Sequence, residues 1–487
     1  MPKDNALITL ASNPSPTAAR PLWNRAIAAP AREFPLQPLP VLSGAIPPGL
    51  QGSLYRNGPA RLERQGRRVG HWFDGDGAVL AVHFGQGQAA ATYRYVRSAG
   101  YVDEQTADQV LYNGYGSLAP GNLWQRLNTQ LKNAANTSVL ALPDGVLALW
   151  EGGWPHRLNR QTLATEGIDN LDQLEANEPY SAHPKRHPKT GDIFNFGLVA
   201  GANATLNLYR SNPQGQIVQK AALPLNGIPL IHDFVLADRY LVFCVSPVRL
   251  NALPAVLGLK SFSDALMWQP RRGSQLIVVD AESLELVSWG EAEPWFQWHF
   301  GKGYVDAFGE VVVELVKYDD FATNQYLREV ASGTLHTSAV GKFWRLRIDP
   351  QQGQVREQVC LVNQGCEFPT LDGGDPTASP TYLSVHRSGV RDEDGELFGA
   401  IARFDPTTDR LTVADAGPGR YPSEPTPVTN PQDPNQGWVL TVVYDGQQDR
   451  SEVWVYDRDR LGESPVCCLG LPQVVPHSFH GVWQAAG

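Results

Sequence analysis

One turn pattern recurs seven times along the 487-residue chain and limits what it can fold into: a β-rich run ends in Asp or Asn, often followed by Pro or Gly. The copies lie at 82–87, 158–160, 210–215, 279–281, 348–353, 404–407 and 456–459. Asp or Asn caps such a turn by accepting backbone N–H bonds, Pro presets φ, and Gly tolerates φ above zero at its end. Each copy therefore reads as a hairpin tip. Anchored on Gly85, Asn159, Asn212, Asp280, Asp349, Asp405 and Asp457, the tips are 52 to 74 residues apart. Four strands of about five or six residues plus loops fill that length, so each tip marks the outer hairpin of one propeller blade. The expectation is an all-β, seven-bladed β-propeller. The same turns would also suit the surface of a β-sandwich.

Composition agrees with many turns and few long helices, because 46 Gly and 38 Pro accompany an ordinary 42% hydrophobic and 18% charged content. A formal net charge of −10 excludes a sequence-independent hold on nucleic acid, which needs a basic face. Cys244, Cys360, Cys366, Cys467 and Cys468 show no CxxC spacing, so neither a disulfide framework nor a structural zinc site is indicated. No window approaches 18 uninterrupted apolar residues, and residues 1–33, rich in Pro and Ala, lack the apolar core of a secretion signal. The expected location is the cytoplasm. Residues 1–33 read as a loose arm and 34–487 as a single propeller domain, with cap insertions near 117–136 and 251–270.

Four of the eleven histidines stand at a matched distance past a turn: His183 after Asn159, His232 after Asn212, His299 after Asp280 and His480 after Asp457, each by 19 to 24 residues. Two further turns are followed, 18 and 19 residues on, by Glu367 and Glu424. A point about 20 residues past an outer hairpin falls on the innermost strand of the next blade, and innermost strands line the axis. Six ionisable side chains then converge there. A lone histidine in a β-rich core is usually a hydrogen-bonded structural residue; four in one register point to a metal site instead. Imidazole suits Zn, Cu, Ni and Fe alike, so the ligands do not select the metal. Glu367 and Glu424 fit as acceptors for the outer ring N–H groups, fixing ring orientation and raising ligand basicity. His187, His477, His71, His83, His156, His336 and His386 have no matching register and read as structural or surface residues.

Several stretches resemble the carotenoid cleavage oxygenases over nearly the whole chain from about residue 35. They include Leu54-Tyr55-Arg56-Asn57-Gly58-Pro59, His71-Trp72-Phe73-Asp74-Gly75-Asp76-Gly77, Leu149-Trp150-Glu151-Gly152-Gly153, Ser181-Ala182-His183-Pro184, Ile231-His232-Asp233-Phe234, Cys366-Glu367-Phe368-Pro369 and Phe479-His480-Gly481. The resemblance implies one Fe(II) per chain on His183, His232, His299 and His480, with Glu151, Glu367 and Glu424 outside them. Glu151 has no turn register and rests on the resemblance alone. The third histidine departs from the family pattern: Lys302 stands where an Asn is usual, which puts close equivalence of substrate in doubt.

By the same resemblance the reaction is cleavage of a conjugated C=C bond of an apocarotenoid by O2 to two carbonyl products, giving retinal from a β-apocarotenal. Trp150, Trp298 and Phe368 would line the substrate tunnel. A lipophilic substrate needs an apolar approach, and the runs at 121–127 and 253–268 either pack as helices or form a mouth that touches a membrane peripherally. Two rival readings stay open. A stilbenoid cleavage dioxygenase would recognise a phenol, with Tyr101 and Lys132 as candidate partners; a non-catalytic propeller binding module would use the histidines structurally.

Overall fold

The computed structural model describes residues 21–390 and 394–486. Seven antiparallel meanders are arranged as the blades of one propeller, and the fourth and fifth are joined into one sheet by a parallel pairing of Ala237 with Gly303. Blade 2 runs Ser138–Ala141, Val146–Leu149, His156–Leu158 and Thr165–Ile168 from the axis outward, and blades 3 to 6 repeat the meander. Their innermost strands are Lys185–Arg186, Val235–Ala237, Phe300–Val305 and Cys366–Leu371. Blade 7 begins with Arg420–Pro422 and Thr426–Asn430, both paired with the long strand Asp433–Asp445.

Blade 1 closes the ring, because its innermost strand is the C-terminal Gly481–Ala485, paired with Gly52–Arg61 from the other end of the chain. A second closure joins Val41–Gly44 to the outer strand Cys467–Gly470 of blade 7. Each closure replaces an exposed edge by a ladder of backbone hydrogen bonds.

All seven predicted tips join the third and fourth strands of a blade. In six of them the Asp or Asn side chain accepts the backbone N–H two residues on, from Gln161, Gln214, Glu282, Gln351, Thr407 and Asp459. That bond explains the recurring residue type. Seven buried apolar clusters each span one pair of neighbouring blades, so the core is a ring of wedges. The five cysteines are free thiols.

The cap is more extensive than the sequence suggests. Besides the short helices Leu123–Leu127, Ala252–Val256 and Phe262–Ala265 in the expected insertions, it includes Ala99–Ala107 and Ala322–Ser332. The loose-arm reading is corrected for its described part. Residues 1–20 lie outside the described residues, but Leu22–Ile27 forms a 3-10 helix whose Trp23 is 0% exposed. Tryptophan supplies enough apolar area to dock a segment that has no periodic pattern of its own.

Candidate metal centre

His183, His232, His299 and His480 lie one to three residues before the innermost strands of blades 3, 4, 5 and 1. The ring brings one nitrogen of each to within 4.8 Å of the others. The Nε2 atoms of His183 and His232 are 3.0 Å apart, and those of His232 and His299 3.3 Å.

The opposite ring nitrogens point outward to carboxylates. Nδ1 of His299 is 2.5 Å from Glu367, Nδ1 of His480 2.8 Å from Glu424 and Nδ1 of His232 3.2 Å from Glu151. A carboxylate accepts, so Nδ1 of His299 and of His480 carries the proton and their Nε2 atoms present lone pairs to the axis, whereas the Glu151 contact to His232 is close without being a hydrogen bond. The Nε2 atoms of His232 and His299 face one another at 3.3 Å in a buried site. With a lone pair on each, that arrangement is repulsive when bare, and a cation between them makes it attractive. The donor set therefore fits a divalent metal.

Electrostatics carry the same sign. Burial, reinforced by the other three imidazoles, pushes the pKa of His183 well below its ordinary value, and burial also lowers His480 against the pull of Glu424. Burial opposes charging His299 too, but Glu367, joined by Asp233 and Glu424, outweighs it and the pKa is raised. A cation on the axis would reverse that direction. Burial pushes Glu424 up, yet His480, Arg56 and the Gly481 N–H together hold it below the usual carboxylate range.

Asp233 braces the cage. One carboxylate oxygen accepts Lys185 Nζ at 2.7 Å from blade 3, and the other accepts the Phe300 N–H at 2.9 Å from blade 5. Lys185, Asp233 and Phe300 each follow a cage histidine by one or two residues, so this carboxylate ties three ligand-bearing strands together.

Two apolar cavities meet at the cage. The first, about 100 Å³, is lined by His299, His480, Phe368, Tyr318, Leu397 and Tyr421 among others; the second, about 180 Å³, by Trp150, Glu151, Phe196, Ile231 and Phe262. Phe73, Thr137, His232 and Trp298 line both. The Trp298 indole is held by an N–H bond to Thr323 Oγ1 at 2.9 Å. The Phe368 ring stacks on His299 with centroids 5.3 Å apart, from a backbone at φ 56° that non-glycine residues seldom adopt.

Of the expected tunnel residues, Trp150, Trp298 and Phe368 face these cavities. Tyr101 and Lys132 do not. The Tyr101 ring stacks on Tyr95, and its hydroxyl meets Arg97. Lys132 lines a third cavity of about 230 Å³ that shares the walls Phe73, Tyr115 and Trp150 with the second, and there it pairs with Asp76 and Glu104 beside Arg64. A buried ammonium needs such partners, and carboxylates supply them without any phenol. Lys302 likewise lines neither apolar cavity; it donates to the Ser379 carbonyl at 2.7 Å beside Glu314.

Phe73, Thr137, Tyr318 and Phe479 were not singled out from sequence. Thr137 had a signal: it immediately precedes the innermost strand of blade 2, the one blade for which the register supplied no residue.

Comparison with known proteins places this geometry. Residues 27–485 match the family described as retinal pigment epithelial membrane protein. An apocarotenoid-15,15′-oxygenase of Synechocystis sp. is 31% identical over 455 residues, covering 91% of this chain and 92% of the relative. Resveratrol cleavage oxygenase 1 of Aspergillus fumigatus is 25% identical over 464 residues, covering 90% and 91%, and an isoeugenol monooxygenase of Pseudomonas putida 26% over 465, covering 91% and 94%. Among solved structures, cobalt-substituted Synechocystis apocarotenoid oxygenase superposes with a TM-score of 0.87 at 30% identity, covering 96% of this chain and 98% of that one.

Proposed function

Because the chain belongs to the retinal pigment epithelial membrane protein family of carotenoid cleavage oxygenases, we propose that it binds one Fe(II) on His183, His232, His299 and His480 and cleaves an apocarotenoid with O2. One C=C bond is broken and each carbon leaves as a carbonyl, so both oxygen atoms are consumed without a reducing cosubstrate; a β-apocarotenal cut at its 15,15′ bond gives retinal. The observation that carries this reading is the imidazole cage, oriented by carboxylates, at the junction of two apolar cavities.

Fe(II) held there would supply redox access to triplet O2, which redox-inert Zn(II) would not. The chain's own residues set the rest. Glu367 and Glu424 hold the Nδ1 protons of His299 and His480 and aim their Nε2 lone pairs inward, and Glu151 places its negative charge 3.2 Å from Nδ1 of His232. Phe73, Trp298 and Phe368 keep water from the junction and supply aromatic rings whose faces stabilise positive charge developing on a polyene. Lys132 is paired with Asp76 and Glu104, and the Tyr101 hydroxyl meets Arg97, so neither offers a stilbenoid phenol an unpaired partner, which supports the polyene reading.

Substrate access follows the cap. Leu131 lines the second cavity and is 48% exposed, while Trp124 and Val256 on nearby cap helices are 75% and 72% exposed. Such an apolar rim suits peripheral contact with a lipid surface. No helix among the described residues is long and apolar enough to cross a membrane.

Anaerobic reconstitution with Fe(II), followed by product analysis on β-apocarotenals and on resveratrol-like stilbenes, tests the reading. Retinal from the former at the higher kcat/KM is expected. Faster cleavage of stilbenes would overturn the substrate, and a metal-free, inactive chain would leave only a binding module.

A further inference from the structure

One buried apolar cluster joins no pair of blades. In it, Trp23, Ala26 and Ile27 pack with Trp72, Leu397, Tyr421 and Phe479, and those last four residues also line the first cavity. Trp23 therefore stands directly behind the cavity wall. Its indole N–H donates to the Gly395 carbonyl at 2.9 Å, and its own carbonyl accepts from His477 Nε2 at 2.9 Å. His477 is itself a wall residue, its ring edge-on to Tyr421 with centroids 5.8 Å apart. The segment is pinned further by Arg25, which donates to the Gly446 carbonyl at 2.7 Å, and by Asn24 against Gly333. The segment belongs to no blade, and Trp23 precedes residue 27, where the family match begins.

We propose that Trp23 is a specificity-determining residue that holds the outer wall of the first cavity in place and so limits the length of the substrate half accepted beside His299 and His480. The proposal rests on reading the two apolar cavities as the substrate site. Truncating a buried aromatic normally leaves a closed void. Here the void adjoins a cavity that takes a ligand, so it lengthens that cavity. The cage histidines and their glutamates are held by other contacts, which separates depth from metal binding.

A length profile decides the matter. W23A, W23F and L397F are compared with the parent as Fe(II)-loaded enzymes on apocarotenals in which either half of the polyene is extended by one isoprene unit at a time. A hydrophobic pocket discriminates one methylene by about 10- to 200-fold, so W23A should raise kcat/KM for the longer member over the shorter by roughly 10-fold or more. L397F, which leaves the N-terminal segment in place and narrows the same cavity, should move the ratio the other way; W23F should stay near the parent.

Iron content should match the parent in all three. Quenching of tryptophan fluorescence by the same series reads the profile without turnover. If W23A lowers kcat/KM by one common factor at every length, or L397F leaves the profile in place, Trp23 supports the fold alone and the proposal is overturned. Should W23A fail to fold, W23L, which fills the socket only in part, replaces it with the same expected direction and the same overturning result. If the parent cleaves no polyene, the reaction assigned above is refuted, while the binding profiles still decide the role of Trp23.

Discussion

Replacing Glu367 and Glu424 by Gln should give unequal results, although both glutamates receive the outer proton of a cage histidine. Glu367 accepts His299 Nδ1 and the Phe368 N–H on one oxygen and the Tyr318 hydroxyl on the other. In Glu367→Gln the amide oxygen keeps the first two donors, and the amide nitrogen meets a hydroxyl that can rotate to accept. Only the charge is lost. Loss of such an outer partner typically costs about 10- to 100-fold in metal affinity, or about 1.4 to 2.7 kcal/mol.

Glu424 has no such latitude. One oxygen accepts His480 Nδ1, and the other accepts the Gly481 N–H with the Arg56 guanidinium 3.6 Å away. An amide nitrogen toward Gly481 and Arg56 faces donors on both. Turned the other way, it faces Nδ1 of His480 and forces the tautomer whose Nε2 has no lone pair for a metal. Either orientation adds about 1 to 3 kcal/mol for a buried group left unmatched, roughly a further 5- to 150-fold. Anaerobic titration of the apo-proteins with Co(II) or Fe(II) against a chelator reads the affinities, and urea unfolding reads the stability. Equal losses, or a larger loss for Glu367→Gln, would refute the reasoning from donor count.

Three further outcomes follow from the contacts. Burial holds His156 neutral, with its pKa pulled from 6.5 down to about 4, so its contribution is intact above pH 6.5 and lost as the pH falls toward 4. His156→Gln should remove roughly 1.4 kcal/mol per pH unit from the slope of stability over that window, read by urea midpoints; an unchanged slope would show that His156 is not held neutral. Lys302→Met should cost about 1 to 3 kcal/mol, because the Ser379 carbonyl loses its donor, and leave the order of preferred substrates alone; a reordered substrate panel would place Lys302 in substrate recognition. Lys132→Met leaves Asp76 and Glu104 with Arg64 as remaining cation and should destabilise by up to about 3 to 5 kcal/mol without shifting the polyene-to-stilbene ratio. A collapse of stilbene turnover alone would restore Lys132 as a phenol partner.

The propeller was legible because its signal is local chemistry repeated. An Asp or Asn that accepts the N–H two residues on is written into the sequence at Asn159, Asn212, Asp280, Asp349, Asp405 and Asp457, whatever the blades between them contain. The cage inherits that legibility, since a residue a fixed distance past an outer tip arrives at the next inner strand. Where an insertion lengthens the path the register fails. Thr137 follows the blade 1 tip only after the cap segment containing Ala99–Ala107 and Leu123–Leu127, so counting from Gly85 misses it. Glu151 follows Val146–Leu149, the second strand of its blade, and reaches His232 from a position that no count from an outer tip predicts.

The misplaced residues share a different cause. Tyr101 and Lys132 looked available for a phenol because a sequence shows a lysine's charge but not what neutralises it. Asp76 lies 56 positions before Lys132 and Glu104 lies 28 before it, in the first blade and the first cap helix, and only the folded cap brings them together. Trp23 fails in the opposite direction. An isolated tryptophan in a Pro- and Ala-rich stretch has no periodicity to declare a strand or helix, yet a single indole docks the segment once α-helix Ala322–Ser332, Tyr421 and Phe479 form a socket. Local repetition therefore identifies the ring and most of its axis, whereas the size and polarity of the cavities depend on pairings across the cap. The residues that shape depth and polar recognition in this chain accordingly lie largely in segments outside the seven wedges, where a change need not disturb the ring.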